Sequence, residues 1–103
     1  MQMMFNSLLG WASVNHLHFH CYEFAHELVL DNLASEPFHR SVRLTAPHFP
    51  LPGFLLNVTV EAIPQMTETI AKIIDILHEL DCAHNVVLCK GSDPRLILES
   101  SKI

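Results

Sequence analysis

Hydrophobic and polar positions alternate from Trp11 to Phe24, which predicts a strand: Val14, His16, His18, His20 and Tyr22 share one parity, while Leu17, Phe19 and Cys21 share the other. One face of that strand is then a row of imidazoles and the other is apolar. From Leu28 to Pro37 the pattern decays into turn-forming residues, and Val42-Arg43-Leu44 reads as a short strand. Pro47, Pro50, Pro52 and Gly53 make a rigid loop, after which Phe54 to Val60 is apolar enough to be a strand covered on both faces. The spacing of Ile70, Ile73, Ile74, Leu77 and Leu80 or Asp81 predicts a helix from Pro64 or Thr67 to Leu80, with Thr67 as its cap and Glu68 in its first turn. Asn85–Lys90 and Arg95–Ser100 flank the turn Gly91-Ser92-Asp93-Pro94 and predict a hairpin. The methionines at 1, 3 and 4 read as a loosely packed start. Together these elements predict an α+β fold with a mainly antiparallel sheet and one main helix.

Composition narrows the function classes. With 103 residues, half of them hydrophobic, the chain makes one small domain and not two of ordinary size. Only 17% of residues are charged, which excludes a disordered chain and suggests apolar surface meant to be covered. Six Lys and Arg face eleven Asp and Glu, a net charge of −5 without any block of like charge, so nucleic acid is not an expected partner. Nor is a membrane, because runs such as Val86-Val87-Leu88-Cys89 fall far short of the roughly 20 residues a bilayer core requires. Met1 to Asn6 lacks the basic and apolar regions of a signal peptide, and Cys21, Cys82 and Cys89 read as reduced thiols, so a cytoplasmic chain is expected. The sequon Asn57-Val58-Thr59 is on the same grounds a chance match.

His16-Leu17-His18-Phe19-His20 carries the chemistry. Residues i, i+2 and i+4 of a strand share a face, and imidazole serves as nucleophile, proton carrier or metal ligand near neutral pH. A plain polar sheet face explains one such histidine better than three in alternation. Three histidines can also bind zinc, but same-face side chains on one strand diverge, and no HExxH or CxxC supplies another ligand. That geometry weakens the zinc reading without replacing it. His26, His39, His48 and His78 have no partner at strand or helix spacing and are expected at the surface; His84-Asn85 reads equally well as a cap or a strand start.

The run His16 to Tyr22 resembles the signature of the histidine-triad superfamily of nucleotidyl transferases and hydrolases. Phe5-Asn6-Ser7-Leu8 and Gly10 to His16 resemble the approach to the triad in the animal GDP-D-glucose phosphorylases, relatives of the plant GDP-L-galactose phosphorylases. The resemblance continues through Tyr22 and Ala25-His26, Leu51 to Leu55, and Ala83 to Val86. His20 fits the animal-type branch, since the plant branch usually carries Gln there. The resemblance implies a histidine-triad-like fold, and a guanylyltransferase that converts GDP-D-glucose and phosphate to GDP and glucose 1-phosphate through a guanylyl-histidine, with hydrogen-bond donors and imidazoles in place of any metal or cofactor. His18 would be the nucleophile, Ser13 and His20 would hold oxygens of the α-phosphate, His16 would orient the site, and Asn6 and the backbone near Gly10 would border the phosphates. Turn and strand-edge hydrogen bonding explains Asn6 and Ser13 equally well.

Three departures count against full activity. Leu9 replaces a family Gly, Val29-Leu30-Asp31 replaces a Pro-aliphatic-Glu run, and family members are longer, with the additional part expected before the triad. Residues 1–103 are thus expected to form a single partial domain, the C-terminal part of the family's fold. A histidine-triad nucleotide hydrolase is the alternative enzyme. The alternative from another class is a non-catalytic remnant that self-associates or pairs with another chain through an uncovered sheet face or edge.

Overall fold

The computed structural model describes residues 2–7, 17–24, 26, 28–46, 49–90 and 93–100. Seven strands are present among them: β1 (Gln2–Asn6), β2 (His20–Tyr22), β3 (Ser35–His39), β4 (Val42–Thr45), β5 (Gly53–Asn57), β6 (Asn85–Cys89) and β7 (Arg95–Glu99). They form one sheet in the order β2-β1-β6-β7-β5-β4-β3, and every neighbouring pair is antiparallel. One long helix, α1 (Ile63–Glu79), completes the α+β fold, an arrangement consistent with an incomplete histidine-triad-like domain. No helix among the described residues is long and apolar enough to cross a membrane.

The sheet's two faces are built by strand alternation. Leu55, Val87, Cys89 and Ile97 point to one face, where Leu33, Leu30 and Phe49 cover them. Leu56, Phe54 and Leu96 point to the other and pack with Val42 beneath Met66 and Ile70 of α1. The helix covers its face incompletely, since an apolar groove of about 490 Å³ remains, lined by Ile63, Met66, Ile70 and Ile74 of α1 against Leu88 and Leu96. The apolar surplus read from composition is therefore visible as uncovered surface on the helix side.

The hairpin β6–β7 forms as predicted, with Asn85 opposite Glu99 and Cys89 opposite Arg95. Helix α1 starts earlier than its cap residues suggest. Ala62 is the N-cap and Pro64 lies in the first turn, where its missing N–H costs nothing. The Thr67 hydroxyl instead donates to the Ile63 carbonyl one turn back, and no acidic residue occupies the first turn. The other end closes in a Schellman turn: Asp81 takes φ of 52°, its N–H donates to the His78 carbonyl, and the Cys82 N–H donates to that of Leu77. Leu80, counted in the apolar stripe, is 66% exposed, and Met66 takes a buried place on it.

Three further expectations are corrected. Met3 and Met4 do not lie in a loose start; they belong to β1, which pairs on both sides, with β2 and with β6. Ser35 to His39 is a strand despite its turn-forming residues, because β3 is an outer strand where Pro37 need not donate to a second neighbour. The strand predicted over residues 11–24 is regular only at His20–Tyr22; residues 17–19 are irregular, and residues 11–16 lie outside the described set. Its apolar face is uncovered as well, with Leu17 76% and Phe19 57% exposed, because β2 is the sheet's other outer strand.

Candidate functional site

Register decides which side chains meet. Met4 lies opposite His20 and Gln2 opposite Tyr22 on one side of β1, while Asn6 lies opposite Asn85 on the other. Asn85 in turn faces Glu99, and Glu99 faces Gly53. Cross-strand partners share a face, so His20, Tyr22, Asn6, Asn85 and Glu99 all project from the side of the sheet opposite α1. They line a cleft of about 380 Å³ whose other walls include Met4, Leu30 and Val87.

At the β2 end the aromatic side chains form a short ladder. The His18 and His20 rings meet edge to face with centroids 5.0 Å apart. His20 and Tyr22 are nearly parallel at 6.0 Å, and the Tyr22 hydroxyl lies 3.3 Å from His20 Nδ1. A hydroxyl that donates there leaves the proton on Nε2, the arrangement in which His20 presents a donor away from Tyr22. Of the expected site residues, the structure thus brings His18 and His20 side by side and sets Asn6 in the same cleft. Gly10, Ser13 and His16 lie outside the described residues. Among the described residues no group of three His, Cys, Asp or Glu converges as a metal site.

Asn6 ends β1, and its side-chain amide donates to Asn85 Oδ1 at 2.7 Å. The neighbouring Ser7 is held by a reciprocal pair of bonds: its N–H donates to the His84 carbonyl, and its hydroxyl accepts from the His84 N–H. His84 is 1% exposed, so residues 6 and 7 leave the sheet from a fixed, buried point. The resemblance around His84-Asn85 therefore coincides with the point that anchors the end of β1. His26, His39 and His78 are exposed, as predicted, and His48 is not among the described residues.

Tyr22 and Glu99 are cleft residues to which the sequence pattern assigns no role, and Asn85 is one that it reads only as a cap or strand start. Tyr22 shares the imidazoles' parity, and the hairpin register pairs Asn85 with Glu99, so the signal for both lay in element alignment and not in any motif. Burial pushes the Glu99 carboxyl above the usual carboxylate range. The folded state thus holds the Glu99 proton more tightly than the unfolded state, and stability from this group is lost as pH rises through the folded value. Glu99→Gln should raise the melting temperature at neutral pH, and the gain should vanish below the ordinary glutamate range, as thermal scans across pH would read. Burial, and then the nearby Asp31 carboxylate, raise the Cys89 thiol against the opposing effect of Arg95, so this buried cysteine stays protonated and inert.

The chain is similar to curated proteins that share one name. It is 38% identical over 103 residues to GDP-D-glucose phosphorylase 1 of Bos taurus, an alignment that covers 96% of this chain and 26% of that protein. It is 37% identical over 102 residues to the Homo sapiens protein of that name, with the same coverage. Against the Xenopus laevis protein it is 36% identical over 91 residues, covering 87% of this chain and 23% of the relative. No family model and no solved structure matches. The chain spans about a quarter of the length of these relatives. By sequence, then, the chain is similar to one segment of proteins named GDP-D-glucose phosphorylase.

Proposed function

We propose that this chain carries the nucleotidyl-transfer strand of a GDP-D-glucose phosphorylase, with residues 1–103 as one partial domain. The observation that carries the proposal is the match of nearly the whole chain to proteins of that name. The edge-to-face pairing of His18 with His20, which lines the cleft together with Asn6, supports it. In the first step the His18 imidazole attacks the α-phosphorus of GDP-D-glucose. A P–N bond forms, the bond to the bridging oxygen breaks, and that oxygen leaves on glucose 1-phosphate. In the second step an oxygen of inorganic phosphate attacks the same phosphorus, the P–N bond breaks, and GDP departs.

His20 and Ser13 donate to α-phosphate oxygens as charge accumulates there, His16 orients the imidazole, and Asn6 with the Gly10 backbone borders the phosphates. A neutral imidazole is competent for this chemistry at cytosolic pH, and three free thiols suit such a compartment. Transfer to water in place of phosphate is the rival enzyme reading. Exposed Leu17 and Phe19, in the irregular stretch that enters outer strand β2, favour a third, in which the chain binds another protein without catalysis.

Intact-mass measurement after incubation with GDP-D-glucose, without phosphate, distinguishes them. A GMP adduct on the wild-type chain that is absent from His18→Ala, and that phosphate discharges as GDP, is the expected result. Release of GMP independent of phosphate supports the hydrolase. A folded chain without adduct or turnover refutes catalysis by this segment.

A further inference from the structure

We infer that the cleft residues Glu99 and Asn85 form a subsite for sugar hydroxyl groups, in which the Glu99 carboxylate accepts hydrogen bonds from a vicinal pair. The inference rests on the guanylyl-transfer reading for the identity of the sugar-bearing ligand, and on the cleft's own geometry for the rest.

The row Asn6, Asn85, Glu99 crosses three adjacent strands in register. With strands about 4.8 Å apart, Glu99 stands roughly 10 Å across the sheet from Asn6, at the far end of the cleft from His20. Its side chain is half-buried, and no hydrogen bond or ion pair from another described residue reaches it. A carboxyl in that position costs stability, because partial burial removes water without supplying a donor. The raised proton affinity of Glu99 reflects the same deficit. Gly53, its cross-strand neighbour, packs close to it: a Cβ there would lie 3.5 Å from the Glu99 Cγ.

Charge decides what can supply the missing donors. A carboxylate repels phosphate, so the phosphates of a bound ligand belong at the histidine end and an uncharged donor group at the Glu99 end. A divalent cation is poorly served, since among the described residues no second carboxylate lines the cleft. Hydroxyl groups both donate and accept, and therefore match a carboxylate beside a carboxamide that also does both. A phosphate at one end and a polyol some 10 Å away describe a sugar phosphate or sugar nucleotide, whose hydroxyls come from either the ribose or the hexose.

Calorimetric titration of the whole chain and of Glu99→Gln separates the sources. The probes are GDP, 2′,3′-dideoxy-GDP and glucose 1-phosphate. Glutamine keeps the side chain's size but loses the charged acceptor, so affinity should fall about tenfold or more for the ligand whose hydroxyls bind there. A fall for GDP that disappears with dideoxy-GDP assigns the subsite to ribose; a fall for glucose 1-phosphate assigns it to the hexose. A fall that persists with dideoxy-GDP and is absent with glucose 1-phosphate means that the base edge is read instead, and overturns the inference. So does a change under twofold for all three probes in a variant whose circular dichroism matches the wild type, or a wild-type chain that binds none of them. Glu99→Asp, which keeps the charge on a shorter stem, should recover part of the loss. Because titration does not depend on the His18 adduct, a chain that forms no adduct but loses sugar binding on Glu99→Gln refutes only the transfer chemistry.

Discussion

Ile97→Ala should lower the unfolding free energy by several kcal/mol, toward the top of the about 2–5 kcal/mol expected for such truncations. Ile97 has no exposed surface and sits on β7, the central strand of seven. It lies between Leu55 and Val87 in the sheet and packs into the cluster that includes Leu33 and Cys89. Hydrogen-bonded strands on both sides prevent the backbone from collapsing into the vacated volume, so most of the cavity remains. A domain of this size has only about 5–15 kcal/mol of stability, and one lost side chain can leave much of the population unfolded. Leu88→Ala is the contrast, since Leu88 is 38% exposed at the edge of the apolar groove and should cost far less. Urea titration of both variants with a common slope would measure the difference, and equal losses would contradict the placement of the core.

The elements that were legible in the sequence are those in which local pattern and tertiary environment agree. Ile70, Ile73, Ile74 and Leu77 announce α1, and the turn residues after Lys90 announce the β6–β7 hairpin. The failures share a different cause. Gln2 to Asn6 has no alternation because β1 is paired on both sides and shows hydrophobic residues to both faces. Ser35 to His39 looks like a turn because an outer strand tolerates Pro37 and exposed side chains. Thr67 has the right chemistry for a cap and the wrong position, since Pro64 already starts the helix a turn earlier.

The candidate site was legible only in its histidines. Alternation put His18 and His20 on one face, and their rings do meet. What alternation along a single strand cannot reveal is the register between strands, and the polar row of Asn6, Asn85 and Glu99 depends wholly on register. A one-residue slip of β6 would turn Asn85 to the helix side and leave Asn6 without its 2.7 Å partner.

Gly53→Ala should be destabilising by about 1–3 kcal/mol and Gly53→Val by more, even though the exchange adds only apolar atoms. The reason is close approach and not backbone conformation. A Cβ at position 53 would come within 2.9 Å of the Leu98 carbonyl oxygen and 3.5 Å of the Glu99 Cα. The first of these contacts is with backbone, which cannot turn aside as a long side chain can. Relief requires β5 to separate from β7, where Gly53 pairs with Glu99, or to pull the Gly53 N–H from the buried Thr45 hydroxyl that accepts it at 3.0 Å. Either movement also shifts Glu99, whose Cγ would lie 3.5 Å from the new methyl. Gly53→Ala should therefore lower the thermal midpoint and weaken binding of the sugar ligand together, whereas Ile97→Ala should lower the midpoint and leave the affinity of the remaining folded molecules unchanged. Thermal scans paired with calorimetric titration would read both quantities. A Gly53→Ala chain with wild-type stability would mean that β5 and β7 are not in the register described.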